Sequence, residues 1–255
     1  MEVTLPKKDL LRLFGRTQGV ADKKSTMPIL SNALVVARDG RLRAAATDLF
    51  MAVTSSLPVV AQRDGTIALP AKDLVERLKA MPEGPVSLSV TEGSTVIIRA
   101  VGAKREFRLR GMPGDDFPTL PQPDASAAEL NVPATVLADL IARTSFSISP
   151  DETRPHLNSA LLEWEGTVAR MVTTDGHRLS KYEVDVPGAD AKFALLIPGK
   201  GIAELRRLCD ELRAEKASEA TIRLLRGGPN VFFSFSRPGE DSTLAIKLVD
   251  AQFPP

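Results

Sequence analysis

Two histidines, one cysteine and a set of carboxylates are the side chains with which this 255-residue chain could do acid–base or metal chemistry. The stretch 171-MVTTDGHRLSKYEV-184 places Asp175 two residues before His177. An Asp beside a His could orient an imidazole for proton transfer, or supply two ligands to a metal. Proton transfer also needs a partner of matched pKa and a substrate cleft. A zinc site needs further His, Cys or carboxylate ligands at suitable spacing. The only other histidine is His156, and the only cysteine is Cys209. The chain has no H-E-x-x-H, no G-x-S-x-G and no phosphate-binding glycine loop. Neither a cofactor nor a metal is expected, and the Asp–His pair is left as turn chemistry or as part of a binding surface.

Composition narrows the classes further. The chain is 43% hydrophobic but only 5% aromatic, so a sizeable core is expected to be built from Leu, Val, Ala and Ile. A net charge of +1 argues against holding nucleic acid by bulk charge and leaves room for a local basic face. A single cysteine permits no internal disulfide, which fits a reducing compartment. The N-terminus has no signal-peptide pattern, and no apolar run approaches the ~18 residues of a membrane span. The expectation is a soluble, cytoplasmic protein without a membrane partner.

The elements that must position these residues come in two copies. Displaced by 127 positions, Pro6 falls on Pro133, Leu10 on Leu137, Arg16-Thr17 on Arg143-Thr144, Pro28 on Pro155 and Thr47-Asp48 on Thr174-Asp175. At one further residue of offset, 70-PAKDLVERLKAM-81 aligns with 198-PGKGIAELRRLC-209, and at 136 Phe117-Pro118 meets Phe253-Pro254. Insertions are expected as loops in 209-CDELRAEKASEA-220 and 236-SRPGED-241. So long a period means duplicated domains and not a solenoid. The expected division is 1–121, a Pro- and Ala-rich connector 122–128, and 129–255.

Each repeat opens with a helix, over 6–19 and 133–144, and a second helix follows over 71–81 and 199–215. In the first helix Leu10, Leu13 and Phe14 form an apolar face, and Lys8, Arg12 and Arg16, four apart, form a basic stripe. In the third, Asp139 and Arg143 are spaced to pair. Strands fill the rest: hairpins over 33–48, turning at Asp39-Gly40, and 160–175, turning at Glu165-Gly166, then further strands over 85–111 and 218–237. The predicted class is α+β, two tandem domains with two helices each packed on antiparallel sheets. Asp48 repeats Asp175 without the histidine, because Leu49-Phe50-Met51 replaces Gly-His-Arg. A Thr-Asp that closes a strand twice suggests a carboxylate bonding nearby backbone N–H groups.

In combination, 26-TMPILSNALV-35, 46-ATDLFM-51, 69-LPAKDLVERL-78, 112-MPGDDFPTL-120, 157-LNSALLE-163, 173-TTDGHRLS-180, 197-IPGKGIAEL-205 and 247-KLVDAQFP-254 resemble the bacterial DNA sliding clamp, the β subunit of the replicative polymerase. That resemblance implies the DNA clamp fold and a non-catalytic processivity factor. Family chains carry three such domains and join head to tail into a ring around duplex DNA. The chain ends where a second domain should end, so a truncated form lacking the third domain is expected. Two-domain chains closing as a trimer, and a clamp-like paralogue or decoy that binds a partner without encircling DNA, are the alternatives.

The resemblance also implies residue roles. DNA-facing cations would be Lys8, Arg12, Arg16, Lys72, Lys79, Arg143, Lys200 and Arg207 on the helices, with Lys24 and Arg154 in loops. A pocket receiving short linear peptides from the polymerase, the clamp loader and repair proteins would use Leu157, Thr174, Gly176, His177, Arg178, Leu179 and Pro254. Apolar walls suit a Leu or Phe anchor. Gly176 would let the peptide backbone approach.

Overall fold

The computed structural model describes residues 1–22, 24–123, 129–214 and 220–254. Residues 124–128 of the expected connector and the end of the expected 199–215 helix lie outside the described residues. The first repeat runs β1 (Glu2–Pro6), α1 (Lys7–Val20), β2 (Asn32–Arg38), β3 (Arg41–Thr47), β4 (Met51–Pro58), β5 (Gly65–Pro70), α2 (Ala71–Lys79), β6 (Pro85–Val90), β7 (Thr95–Ala100) and β8 (Glu106–Arg110). The second repeats that order as β9 (Glu129–Pro133), α3 (Ala134–Thr144), β10 (Ser159–Gly166), β11 (Val168–Thr174), β12 (Leu179–Asp185), β13 (Ala191–Pro198), α4 (Gly199–Ala214), β14 (Thr221–Gly227), β15 (Asn230–Arg237) and β16 (Glu240–Lys247).

Two compact units result. The first comprises Met1–Pro121 with Ser236–Thr243, and the second Gln122–Phe235 with Leu244–Pro255. In the first, strands are ordered β1-β6-β7-β8 and β5-β2-β3-β4. In the second, the corresponding strands are ordered β9-β14-β15-β16 and β13-β10-β11-β12. α1 packs with α2 in one unit and α3 with α4 in the other. Leu10, Leu13 and Phe14 of α1 and Leu74 and Leu78 of α2 join Val35, Leu42, Val86 and Ile98 of the sheets in one core. Leu137, Leu140, Ile141, Ile202 and Leu205 are likewise buried in the second unit.

The repeat holds at the level of single hydrogen-bonded pairs. Arg38 pairs with Arg41 across the first hairpin and Glu165 with Val168 across the second, each displaced by 127. Asp39 and Gly40 both have positive φ, the tight turn expected of Asp-Gly. In the second copy the turn residues are Gly166 and Thr167, one position later than expected from Glu165-Gly166. Gly166 has φ 62° there. All four helices start directly after a strand that ends in proline: Pro6, Pro70, Pro133 and Pro198. The N–H of Lys7 reaches Gly84 O at 2.9 Å, and that of Ala134 reaches Ala220 O at 2.8 Å. An otherwise orphaned helix-start donor is thus satisfied from the neighbouring strand's approach.

Three expectations are settled or changed. Cys209–Ala214, expected both as the end of the 199–215 helix and as part of a 209–220 loop, is helix, and within 236–241 only Pro238 and Gly239 stand outside strands. Cys209 is buried, and burial pushes its thiol up to about 12. The third change concerns charge. Arg16 is buried, and its guanidinium bonds Glu240, Ser242 and Ser55 (3.2 Å for the last) within the first unit. Arg12 is mostly buried, held by Asp9 at 3.2 Å and by Glu240 in an ion pair at 2.9 Å that lacks hydrogen-bond alignment. Of the expected stripe only Lys8 stays exposed. Once the fold has taken these guanidinium groups out of water, the buried Glu240 carboxylate offsets part of the desolvation cost.

Removing that carboxylate would leave buried guanidinium charge uncompensated. Glu240→Ala is expected to destabilise the chain by about 3 kcal/mol, with Glu240→Gln milder, as read from urea unfolding followed by far-UV circular dichroism.

Candidate functional site

The 173-TTDGHRLS-180 stretch is the turn from β11 to β12. Asp175 Oδ1 accepts the N–H groups of His177 and Arg178 at 2.9 and 3.0 Å, and Oδ2 accepts Arg178 Nε at 3.0 Å. Thr174 Oγ1 donates to Arg178 O at 2.7 Å and accepts Gly176 N–H at 3.1 Å. The β3–β4 turn repeats this set of backbone bonds. Asp48 Oδ1 accepts Phe50 and Met51 N–H, and Thr47 Oγ1 donates to Met51 O and accepts Leu49 N–H. The carboxylate therefore builds a turn in both copies. Backbone donors, first His177 and then Arg178, hold the Asp175 carboxyl well down, at about 2. With both oxygens occupied and so low a pKa, Asp175 is poorly suited to be a base near neutral pH. Among the described residues no group of three or more His, Cys, Asp or Glu could hold a metal.

Gly176 has φ +92°, and its counterpart Leu49 has φ +73°. A Cβ on Gly176 would meet only Leu157 Cδ1, at an ordinary 3.9 Å. Within the chain the glycine is explained by the left-handed turn position, and the side that a Cβ would occupy is open apart from Leu157. Leu49 tolerates the same position because its side chain is exposed and the Thr-Asp bonds over-determine the turn.

The turn gathers most of the expected docking residues. Leu157 and Thr174 are buried beneath it, while Gly176, His177, Arg178 and Leu179 are exposed. Leu179 is 59% exposed, unusual for a leucine at a strand start. Pro254 is half-buried. The sequence reading missed Phe146. It is 59% exposed, its carbonyl accepts Arg178 Nη2 at 2.8 Å, and its ring lies 6.0 Å from the Arg178 guanidinium. The repeat held a signal for it, since Phe146 stands where the first copy has Gly19. Leu179 and Phe146 thus present exposed apolar surface on either side of an arginine fixed at both ends.

The expected DNA-facing cations differ in their settings. Lys8 and Lys79 are exposed with no ion pair among the described residues. Lys72 and Arg207 are exposed but meet acids one turn away, Glu76 at 3.6 Å and Glu204 at 3.0 Å. Arg143 lies over the Tyr182 ring at 4.6 Å, and the spacing-based Asp139–Arg143 pair is not formed among the described residues. Lys200 is exposed at the start of α4. In the loops Lys24 is exposed, whereas Arg154 is tied to Asp151 at 2.8 Å. Arg12 and Arg16 leave the set, for the reason given above.

Residues 1–121 match the family model for the N-terminal domain of the DNA polymerase III beta subunit, and residues 131–255 that for its central domain. A beta sliding clamp of Caulobacter vibrioides is 35% identical across the whole chain, which spans 67% of that relative. The chain belongs to the DNA polymerase III beta subunit family. The beta sliding clamp of Escherichia coli K12 is 29% identical, again over the whole chain and 66% of the relative. The solved clamp of Caulobacter crescentus superposes with a TM-score of 0.87 at 34% identity, over the whole chain and 67% of the other. A Pseudomonas aeruginosa clamp bound to griselimycin gives 0.86 at 30% identity, over 100% and 66% of the two chains. The chain spans about two thirds of the length of these clamps. Both of its units are built as clamp domains.

The depressed Asp175 pKa carries a pH dependence whose sign follows from linkage. A carboxyl held below its unfolded value of 3.8 stabilises the fold above that pH, and the contribution is lost as pH falls towards about 2. Thermal melts between pH 5 and 2 should therefore fall less steeply for Asp175→Asn than for the parent chain.

Proposed function

We propose that this chain acts as part of a DNA sliding clamp, holding a polymerase near the primer end by tethering and doing no bond-making chemistry itself. Two features support the reading together: a collinear match to two clamp domains, and the Leu179–Arg178–Phe146 surface on the TDGHRL turn of the second. Tethering raises effective concentration, so modest affinity at the docking surface is enough. Duplex DNA, the replicative polymerase, the clamp loader and repair proteins are the proposed partners, the proteins engaging through short linear peptides. Encirclement would come from head-to-tail assembly in the full-length form.

The docking site is proposed as Leu157, Thr174, Gly176, His177, Arg178 and Leu179, extended by Phe146, with Pro254 as a further wall. Leu179 and Phe146 supply apolar area for a Leu or Phe anchor, and the hydrogen-bonded turn keeps them rigid. His177 and Arg178 form the rim through apolar stems and polar tips.

The DNA-facing set is proposed as Lys8, Lys24, Lys72, Lys79, Arg143, Lys200 and Arg207, with Arg154 weakened by Asp151. Acids one helical turn from Lys72 and Arg207 dilute the positive field. Such a surface suits sliding, since strong phosphate contacts would hold the duplex in place.

Leu179→Asp should cost about tenfold or more in affinity for a short synthetic peptide carrying Leu and Phe anchors, with an unchanged melting temperature because Leu179 is already exposed. Unchanged affinity in calorimetric titration would count against the site. Binding to a short linear duplex should be micromolar or weaker and fall by more than about tenfold between about 50 and 200 mM salt. Lys8→Ala or Lys79→Ala should each lower the salt slope by about 1, whereas salt-insensitive nanomolar binding would refute this use of the helices.

A further inference from the structure

The chain passes between its two units three times. It leaves the first after Pro121, re-enters it at Ser236 and leaves it again after Thr243. The last two passages belong to one hairpin. β15 and β16 turn at Pro238-Gly239, with residues 230–235 and 244–247 in the second unit and the tip, Ser236–Thr243, in the first.

Within the first unit the tip is held chiefly through an acid. Glu240 is buried; it accepts a hydrogen bond from Arg16 and forms an ion pair with Arg12 at 2.9 Å, both on α1. Ser242 Oγ accepts Arg16 Nη1 and lies 2.6 Å from Ser55 Oγ of β4. Arg237 pairs with Glu240 at 3.4 Å inside the tip, and a Cβ on Gly239 would sit 3.5 Å from Pro58. Asp241 accepts Arg41 Nη2 at 2.7 Å, but both side chains keep much of their surface in water, so that pair contributes little. Arg16, Ser55, Glu240 and Ser242 are all buried. Removing one of them leaves a desolvated polar group behind.

The second repeat has no such arrangement at the same place. Asp139 stands where the first repeat has Arg12. Arg143, where it has Arg16, is exposed over the Tyr182 ring at 4.6 Å. The buried carboxylate is thus particular to the first unit, and it arrives on a hairpin rooted in the second.

We propose that residues 236–243 are a clasp through which the two units open together, with Glu240 as its catch. When the second unit unfolds, β15 and β16 lose their roots, and the tip leaves Arg12 and Arg16 as uncompensated, desolvated charge. When the first unit unfolds, the same contacts go. Either opening breaks the catch, so its free energy protects both units although every contact lies in one. Openings of this kind are what amide hydrogen exchange reads. The clasp involves neither DNA nor a docking peptide, and so stands or falls apart from the function proposed above.

Hydrogen exchange of the full chain, followed by peptide mass spectrometry at neutral pH in mild urea, tests it. Glu240→Ala should speed the slowest amides of β2 and β3 about a hundredfold, and those of β10 and β11 by a similar factor. Glu240→Gln should act in the same two places more weakly, and it keeps the test open where alanine proves too severe for folding. Leu78→Ala in α2 removes core volume from the first unit away from the clasp, and should speed β2 and β3 alone. Faster exchange confined to the first unit in the Glu240 variants, or none at all, overturns the proposal, because the catch would then stabilise at most the unit it touches. So does a Leu78→Ala chain whose β10 and β11 amides quicken as much as in Glu240→Ala, since something other than the clasp would then join the units.

Discussion

Four prolines set the frame on which the rest depends. At Pro6, Pro70, Pro133 and Pro198 a strand becomes a helix with no loop between. Proline fixes φ and lacks the N–H that a helix start would leave without a partner. Pro6, Pro70 and Pro133 have φ of −56°, −51° and −56° with extended ψ, so the chain leaves the sheet at a constant angle. With both ends of the junction rigid, each helix is laid across its sheet in one way. The apolar faces of α1 with α2, and of α3 with α4, then meet over the sheet, and α1, α2 and α3 start without a side-chain cap.

Much of this was legible in the sequence because the repeat compares the chain with itself. Pro, Arg-Thr and Thr-Asp in one register reported two copies of one domain, and the strand pairings keep the 127-residue displacement from Arg38–Arg41 to Glu165–Val168. The Thr-Asp turn was legible for the same reason: a feature present in both copies belongs to the fold, and one present in a single copy is free to serve a surface. The turn register at Gly166 was less so, since Glu-Gly and Gly-Thr both satisfy a short hairpin.

Charge was the part that spacing could not resolve. Lys8, Arg12 and Arg16 share a helical face, but a wheel has no knowledge of Glu240, more than two hundred residues away in the chain. Helical periodicity identifies which side chains point the same way, and only the tertiary fold decides whether water or a carboxylate meets them. Phe146 escaped for a related reason. It lies outside any motif, and it matters because Arg178 reaches it across a fold the sequence does not display.

The aromatic residues are unevenly shared between the two repeats. Trp164 is the single tryptophan, buried in β10 with its indole N–H on Ala189 O at 2.7 Å and Phe193 at 6.0 Å, and Tyr182 is the single tyrosine. Both belong to the second unit. Intrinsic fluorescence is therefore a one-sided reporter: it follows the melting of β10–β13 and is blind to the first unit, whose unfolding must be followed through its backbone.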